Sequence, residues 1–370
     1  MTDLDQPTPV RADATFDVGA LTTWLRQRDP TLEGTPELFQ FGKGFSNLTY
    51  LARYALPAQR ELVIRRAPPG IHIKSAHDMG REFRILRALA PIWPKVPKPV
   101  AYCEDEGVIG SEFYAMNRVE GVILRARRAD AGPPERDGLG PAAMRRVSEA
   151  WCDTLAEIHS LDWRAAGLES LGKPAGYIER QVRGWSDRWR KSRTDDVPEM
   201  ERLGAWLDAH RPAADPGPAA ATLVHNDFKY DNVVFAPDLG RVVAVLDWEM
   251  ATLGDPLMDL GTALGYWIEA GDPPILYTSV AGPTNLPGNL TRMEIVERWS
   301  RTTGRDASNV TFYYAFALFK LGIIKQQLYK RWVEKLTGDE RFAAMLEGVR
   351  AVSTAALLAV EKGRIDRLAG

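Results

Sequence analysis

The spacing of apolar residues changes twice along this chain. Between Asp17 and Arg28, Val18, Leu21, Trp24 and Leu25 recur at helical spacing and predict an introductory helix. Short strand-like runs follow. Leu38–Phe41, Leu48–Tyr54 and Leu62–Arg65 predict three strands, with Gly42-Lys43-Gly44 as a flexible connection between the first two. Arg81–Ala88 carries a helical pattern, and Phe113–Met116 predicts another strand. From about Gly121 the helical period takes over. Met144, Val147, Trp151, Leu155 and Ile158 form one stripe of a long helix that ends near Asp162-Trp163. One interruption is expected, where Asn232–Phe235 and Val242–Leu246 are short apolar β-branched runs joined by Ala236-Pro237-Asp238-Leu239-Gly240, a hairpin signature. Arg211–Ala220 and Asp272–Asn289 lack a steady period and predict loops.

This pattern predicts an α+β chain with a tail and introductory helix over 1–34, a β-rich lobe over 35–118 and a helical lobe over 119–370, hinged near Asn117–Glu120. No internal repeat of 20 to 50 residues is visible. The least polar stretch, Val310–Phe319, has ten residues, about half of the roughly 20 needed to span a bilayer, and predicts a buried helix.

Composition narrows the function classes. The 370 residues are 45% hydrophobic, enough for a large core, and 47 Lys plus Arg against 49 Asp plus Glu leave a net charge of -2. No global basic field recruits nucleic acid or a membrane. Cys103 and Cys152 are too few for a disulfide framework or a zinc site and fit a reducing compartment. Met1–Asp17 carries Asp3, Asp5 and Asp13 without an apolar run, which predicts neither a signal peptide nor an anchor and so a cytoplasmic location.

Chemistry concentrates in His225-Asn226-Asp227-Phe228-Lys229-Tyr230-Asp231-Asn232 and in Asp247, fifteen positions after Asn232. An acid, an amide five residues on, and a second acid ending the next strand is the order in which kinases hold a hydroxyl nucleophile and the magnesium of ATP. Magnesium keeps hard oxygen ligands and several waters, so a site shared with ATP phosphates needs only one or two protein oxygens, here Asn232 and Asp247. Asp227 is the candidate acceptor of the substrate hydroxyl's proton. Lys229 is a candidate for charge on the transferring phosphoryl group. The hairpin brings Asn232 and Asp247 together despite the gap between them. On the nucleotide side, Gly42 and Gly44 allow the backbone close to phosphates, and Ser46 and Asn47 add donors.

These motifs resemble the aminoglycoside phosphotransferase-like branch of the protein-kinase-like superfamily, and most closely the phosphotransferase domain found alone in bacteria or joined to acyl-CoA dehydrogenases. The resemblance extends over roughly residues 35 to 335 and includes Gly44-Phe45-Ser46-Asn47-Leu48-Thr49-Tyr50, Arg81-Glu82-Phe83-Arg84-Ile85-Leu86, Ile158-His159-Ser160-Leu161-Asp162 and Gly254-Asp255-Pro256-Leu257-Met258-Asp259-Leu260. It implies a protein-kinase-like two-lobe fold. By position, Arg65 and Glu82 match the strand cation and helix acid that bracket ATP phosphates, although a lysine is usual and Arg66 lies beside Arg65. Strand alternation lets only one of the two face the cleft, and Arg65 is the choice. Asn117 and Val119 match the hinge backbone that contacts adenine, with Met116 walling the pocket. His225 and Asp259 match residues that brace the catalytic loop, with Asp255 assisting.

The acceptor is left open by these motifs. Twelve positions separate Asp247 from Asp259, too few for a peptide-binding activation segment, which points to a small-molecule hydroxyl. The resemblance implies a hydroxyacyl-CoA, with Arg125, Arg127 and Arg128 set against the CoA phosphates and Trp185 and Trp189 available for stacking. An aminoglycoside acceptor would need an acidic pocket, for which Glu249, Glu269 and Asp272 are the candidates. A degenerate nucleotide-binding pseudokinase is the third expectation, on the strength of Arg65.

Overall fold

A computed structural model of the protein describes residues 7–42, 47–55, 59–67, 78–125, 138–212, 220–277 and 282–368. Its N-terminal lobe is built on a six-stranded antiparallel sheet. The strands are β1 (Thr8–Pro9), β2 (Glu37–Gln40), β3 (Leu48–Tyr54), β4 (Arg60–Arg66), β5 (Pro99–Cys103) and β6 (Phe113–Asn117), in spatial order β1-β2-β3-β4-β6-β5. Helices α1 (Val18–Arg26), α2 (Met79–Leu89) and α3 (Glu106–Ile109) accompany it. Side chains alternate across β4, and each face has its own cover. Leu62 and Ile64 pack with Leu21, Trp24 and Leu25 of α1, whereas Val63 joins Ile85, Leu86 and Leu89 of α2 in a core continuous with the other lobe. That alternation decides between the two arginines. Arg65 lies on the α2 face, toward the cleft; Arg66 points the other way, where its Nε donates to Ser111 Oγ at 2.9 Å.

The C-terminal lobe is helical. It contains α4 (Pro141–Ser160), α5 (Tyr177–Ser192), α6 (Pro198–Ala209), α7 (Pro256–Gly265), α8 (Pro274–Tyr277), α9 (Arg292–Thr303), α10 (Val310–Val333) and α11 (Met345–Lys362). The predicted Val310–Phe319 segment is the buried first half of α10, which packs on α7 and α11. Among the described residues, one stretch, Glu340–Lys362, is apolar and long enough by composition to cross a bilayer, and half of its apolar window is buried within the fold.

Three expectations are corrected. Strand β5 was not predicted: it opens on Pro99, and proline is tolerated at the first residue of an edge strand. The helical lobe also has more than one interruption. Besides the hairpin β9 (Val233–Phe235) and β10 (Val242–Val245), β7 (Val122–Ile123) pairs with β9, and β8 (Thr222–Val224) pairs with β11 (Thr252–Gly254). Strands of two or three residues are too short to show a period. The predicted loop Asp272–Asn289 holds α8 and a turn of 3-10 helix at Pro283–Asn285.

Side chains tie the lobes together beside the cleft. Arg81 of α2 donates to the carbonyls of Leu171 and Ala251 at 2.9 and 2.8 Å, and Lys95 pairs with Glu157 of α4 at 2.7 Å.

Candidate active site

Pairing of β8 with β11 and of β9 with β10 sets two loops side by side. The first, between β8 and β9, carries Asp227 and Asn232; the second follows β10 and carries Asp247. The Leu246 N–H donates to the Asn232 carbonyl at 2.8 Å, which brings Asp247 against the amide residue as the hairpin pattern requires. Asn232 Nδ2 donates to the Asp227 carbonyl and to Asp227 Oδ2, both at 2.9 Å. Lys229 Nζ contacts both Asp227 oxygens, at 3.0 and 3.2 Å. Burial opposes the lysine's charge, but the Asp227 carboxylate outweighs it and holds the Lys229 pKa above its ordinary value.

A buried frame fixes this loop. Asp259, on the first turns of α7, accepts from the His225 N–H at 2.6 Å and the Asn226 N–H at 2.7 Å. His159 Nε2 lies 3.1 Å from the same carboxylate, while its Nδ1 accepts from the Trp299 indole at 2.9 Å. Because the indole is only a donor, His159 carries its proton on Nε2 and donates to Asp259. His225 works the same way: Nδ1 accepts from the Asp227 N–H at 3.3 Å and Nε2 donates to the Leu246 carbonyl at 3.0 Å, linking the two loops. Asp255 caps α7 by accepting from the Leu257 N–H at 2.6 Å. His225, Asp255 and Asp259 are thus brought together as a brace. His159, from the Ile158–Asp162 motif, belongs to it as well. Asn226 and Asp247 both hold left-handed backbone, with φ of 64° and 67°, a conformation costly for side-chain-bearing residues and maintained here by these bonds.

From the other lobe, Arg65 reaches across. Its Nη1 donates to Glu82 Oε1 and its Nη2 to Asp247 Oδ1, each at 3.0 Å, and Glu249 Oε2 lies 3.7 Å away. Glu82 Oε1 also accepts from the Trp248 N–H at 3.0 Å. Planar and forked, the guanidinium bridges acids from both lobes, which a point-like ammonium does less well. Burial alone would raise the Asp247 carboxyl, yet Arg65 brings its pKa below the ordinary value, so it is ionised. Glu249 has less compensation: burial first, then the Asp247 charge, push it up to about 8. Asn47 Nδ2 donates to Glu249 Oε2 at 2.8 Å. Gly42 stands in open space, with no atom within 4 Å of where a Cβ would sit, whereas Gly44 and Ser46 lie outside the described residues.

At the hinge, the Asn117 N–H is committed to the Lys98 carbonyl at 2.9 Å, so it is not free to meet a ligand. Among the described residues, the backbone groups of Val119 have no partner, which leaves Val119 as the candidate donor. Met116 is buried beside Val63, on the cleft face of the sheet.

The other expected contacts divide. Glu269 and Asp272 do not form an open acidic pocket: both pair with Arg292, which is fully buried, and Asp272 Oδ2 is 2.7 Å from its Nη1. Trp189 donates to Glu201 at 2.8 Å in a buried packing role. Arg127 and Arg128 lie outside the described residues. Two residues near Asp227 escaped the sequence reading. Tyr266, at the end of α7, sets its hydroxyl against the Asp227 carboxylate and its ring 5.0 Å from Lys229 Nζ. Lys320 of α10 is buried and donates to the Asn226 carbonyl at 3.2 Å.

A β-rich lobe and a helical lobe, with an acid–lysine pair, an amide and a second acid gathered between them, define the fold of a phosphotransferase. Residues 37–294 match the model of the Phosphotransferase enzyme family, and the chain belongs to that family. Mouse acyl-CoA dehydrogenase family member 10 is 37% identical over 95% of this chain and 31% of its own length. Human acyl-CoA dehydrogenase family member 11 is 36% identical over 86% of this chain and 40% of its own. The chain therefore spans less than half the length of these curated relatives. A Ralstonia eutropha JMP134 protein solved as a candidate aminoglycoside phosphotransferase is 30% identical, with a TM-score of 0.77 over 94% of this chain and 99% of that one.

Proposed function

We propose that the protein transfers the γ-phosphoryl group of ATP, with magnesium, to the hydroxyl of a small acyl-bearing molecule such as a hydroxyacyl-CoA. The observation that carries this reading is the convergence of Asp227, Asn232 and Asp247, with Lys229 and Arg65 as the local cations. Four acids, Glu82, Asp227, Asp247 and Glu249, share those two cations, which leaves a surplus of negative charge. A divalent cation fits such a surplus. Among the described residues no three His, Cys, Asp or Glu side chains form a ready-made metal cage, which suits magnesium taking most of its shell from phosphates and water. Asn232 and Asp247 would hold it, and when bound it supplies charge neutralisation at the phosphates.

The remaining work falls to the chain itself. Asp227 accepts the hydrogen bond of the incoming hydroxyl and orients its lone pair, then takes the proton. Lys229 stabilises negative charge on the transferring group. Arg65 serves the nucleotide phosphates while Glu82 holds its fork in place. The acyl-CoA direction is supported by the names of the curated relatives and by the closure of the acidic pocket that a polycationic sugar would need. A degenerate pseudokinase is disfavoured because all three oxygen-bearing residues converge.

Asp227→Asn tests the assignment. Turnover should fall by about 10²–10⁴-fold, the usual worth of a general base, while ATP affinity stays close to that of the parent. Unchanged turnover would remove Asp227 from the reaction.

A further inference from the structure

Lys320 is a buried cation that the phosphoryl-transfer chemistry leaves unused. It projects from α10 under the catalytic loop, and its residue is only 8% exposed. An ammonium has three donors; the Asn226 carbonyl at 3.2 Å takes one. A second neighbour is the Trp185 ring of α5, whose centroid lies 5.7 Å from Nζ. No carboxylate comes within ion-pair distance of Lys320 among the described residues. Asp259 spends its oxygens on His225, Asn226 and His159, and Asp227 spends its own on Lys229 and Asn232. Their attraction reaches Lys320 only at longer range and does not offset burial, which holds its pKa below the ordinary lysine value.

Burying an unpaired charge is expensive, and an anion arriving beside it would offset that cost. The surroundings indicate the sign of the arrival. Arg188, exposed on α5 and without an ion pair among the described residues, sets its guanidinium 4.4 Å from the other neighbour of this group, the Trp185 ring. Arg188 and Lys229 both lie close enough to repel the Lys320 charge, which makes three cations on this side of the catalytic loop. The acids suited to a cationic acceptor are either pinned under Arg292 or turned to Arg65.

We infer that Lys320, with Trp185 and Arg188, forms an acceptor subsite for an anionic oxygen carried by the molecule whose hydroxyl meets Asp227. The inference rests on the phosphotransferase reading and adds the charge of the acceptor to it. A carboxylate of a free hydroxy acid and a phosphate of a CoA thioester share this chemistry. Lys320 is here a specificity-determining residue rather than a participant in proton transfer.

The test measures magnesium-ATP consumption with medium-chain hydroxy acids, their CoA thioesters, neutral sugars, choline and kanamycin. The subsite predicts turnover of an anionic acceptor, and the better of the first two arms identifies the source of the anion. Lys320→Met should then raise the KM for that acceptor at least tenfold with a much smaller change in kcat, and Lys320→Arg should recover much of the loss. The melting temperature of Lys320→Met should hold or rise, since an unpaired buried charge has gone. Turnover of only neutral or cationic acceptors, no turnover of any anionic one, or an unchanged KM in Lys320→Met would each overturn the inference. Magnesium-dependent hydrolysis of ATP without acceptor reads the phosphotransferase assignment separately: its presence with a failed panel sinks the subsite alone, and its absence together with a failed panel sinks both.

Discussion

Arg65 holds together two acids that approach from opposite lobes, and nothing in its immediate sequence announces that. What the sequence shows is alternation along β4, which gives Arg65 the face of Val63 and sends Arg66 to Ser111. The fork then matters more than the charge. Arg65→Lys keeps a cation but replaces with a single nitrogen the two that meet Glu82 and Asp247 at 3.0 Å each. Losing one hydrogen bond to a charged group costs about 1.5–3 kcal/mol, so the KM for ATP in steady-state assays should rise about tenfold or more. Arg65→Met should do worse, and wild-type kinetics in Arg65→Lys would show the fork to be dispensable. At this scale Asp227, Asn232, Asp247, Glu82 and Asp259 were legible because each sits in a motif with fixed offsets. Lys320 and Tyr266 were not, because each is a single polar residue in a helical stretch whose partner lies 94 or 39 positions away, and His159 was visible as part of a motif but not in its role, since its partner Asp259 lies 100 positions away. A lysine on an apolar helix face was the available signal, and Lys320 closes the run Ala315-Phe316-Ala317-Leu318-Phe319.

Elements matter here through how closely they pack. Helix α7 carries both the cap Asp255 and the brace Asp259, so its seat on α10 positions the catalytic loop. That seat depends on Gly261. A Cβ there would come within 2.5 Å of the Tyr313 carbonyl oxygen, a backbone atom that cannot rotate away. Gly261→Ala should therefore push α7 off α10 and cost about 1–3 kcal/mol in chemical denaturation, with activity falling as the brace shifts. Stability equal to the parent would mean that the two helices have room to spare. Element existence was largely legible: α1, β3, β4, α2, β6, α4 and the β9–β10 hairpin all lie where the periods placed them, to within about two residues at most ends. Of the strands that were missed, β1, β7, β8 and β11 have two or three residues, too few to carry a period, and owe their state to partners distant in sequence, whereas β5 is an edge strand that opens on Pro99.

At the scale of the molecule, the cleft is a place where both lobes contribute to one charge cluster, through Arg65 and Glu82 above and Asp227 and Asp247 below. The two-lobe plan was readable from the change of period near residue 120, and the family match spans both lobes. The chemistry of the acceptor was not readable, because it depends on which cations and acids remain uncommitted after folding, as the burial of Arg292 with Asp272 shows. A ligand that engages both lobes should stabilise them jointly, by about 2.7 kcal/mol when present at 100 times its Kd. The most direct measurement is calorimetric titration of ATP into the wild-type protein and Asp247→Asn, each with and without magnesium. The account predicts ATP binding that is strongly magnesium-dependent in the wild type and that loses this dependence in Asp247→Asn. Equal binding with and without magnesium in the wild type, or an undiminished magnesium effect in Asp247→Asn, would contradict it.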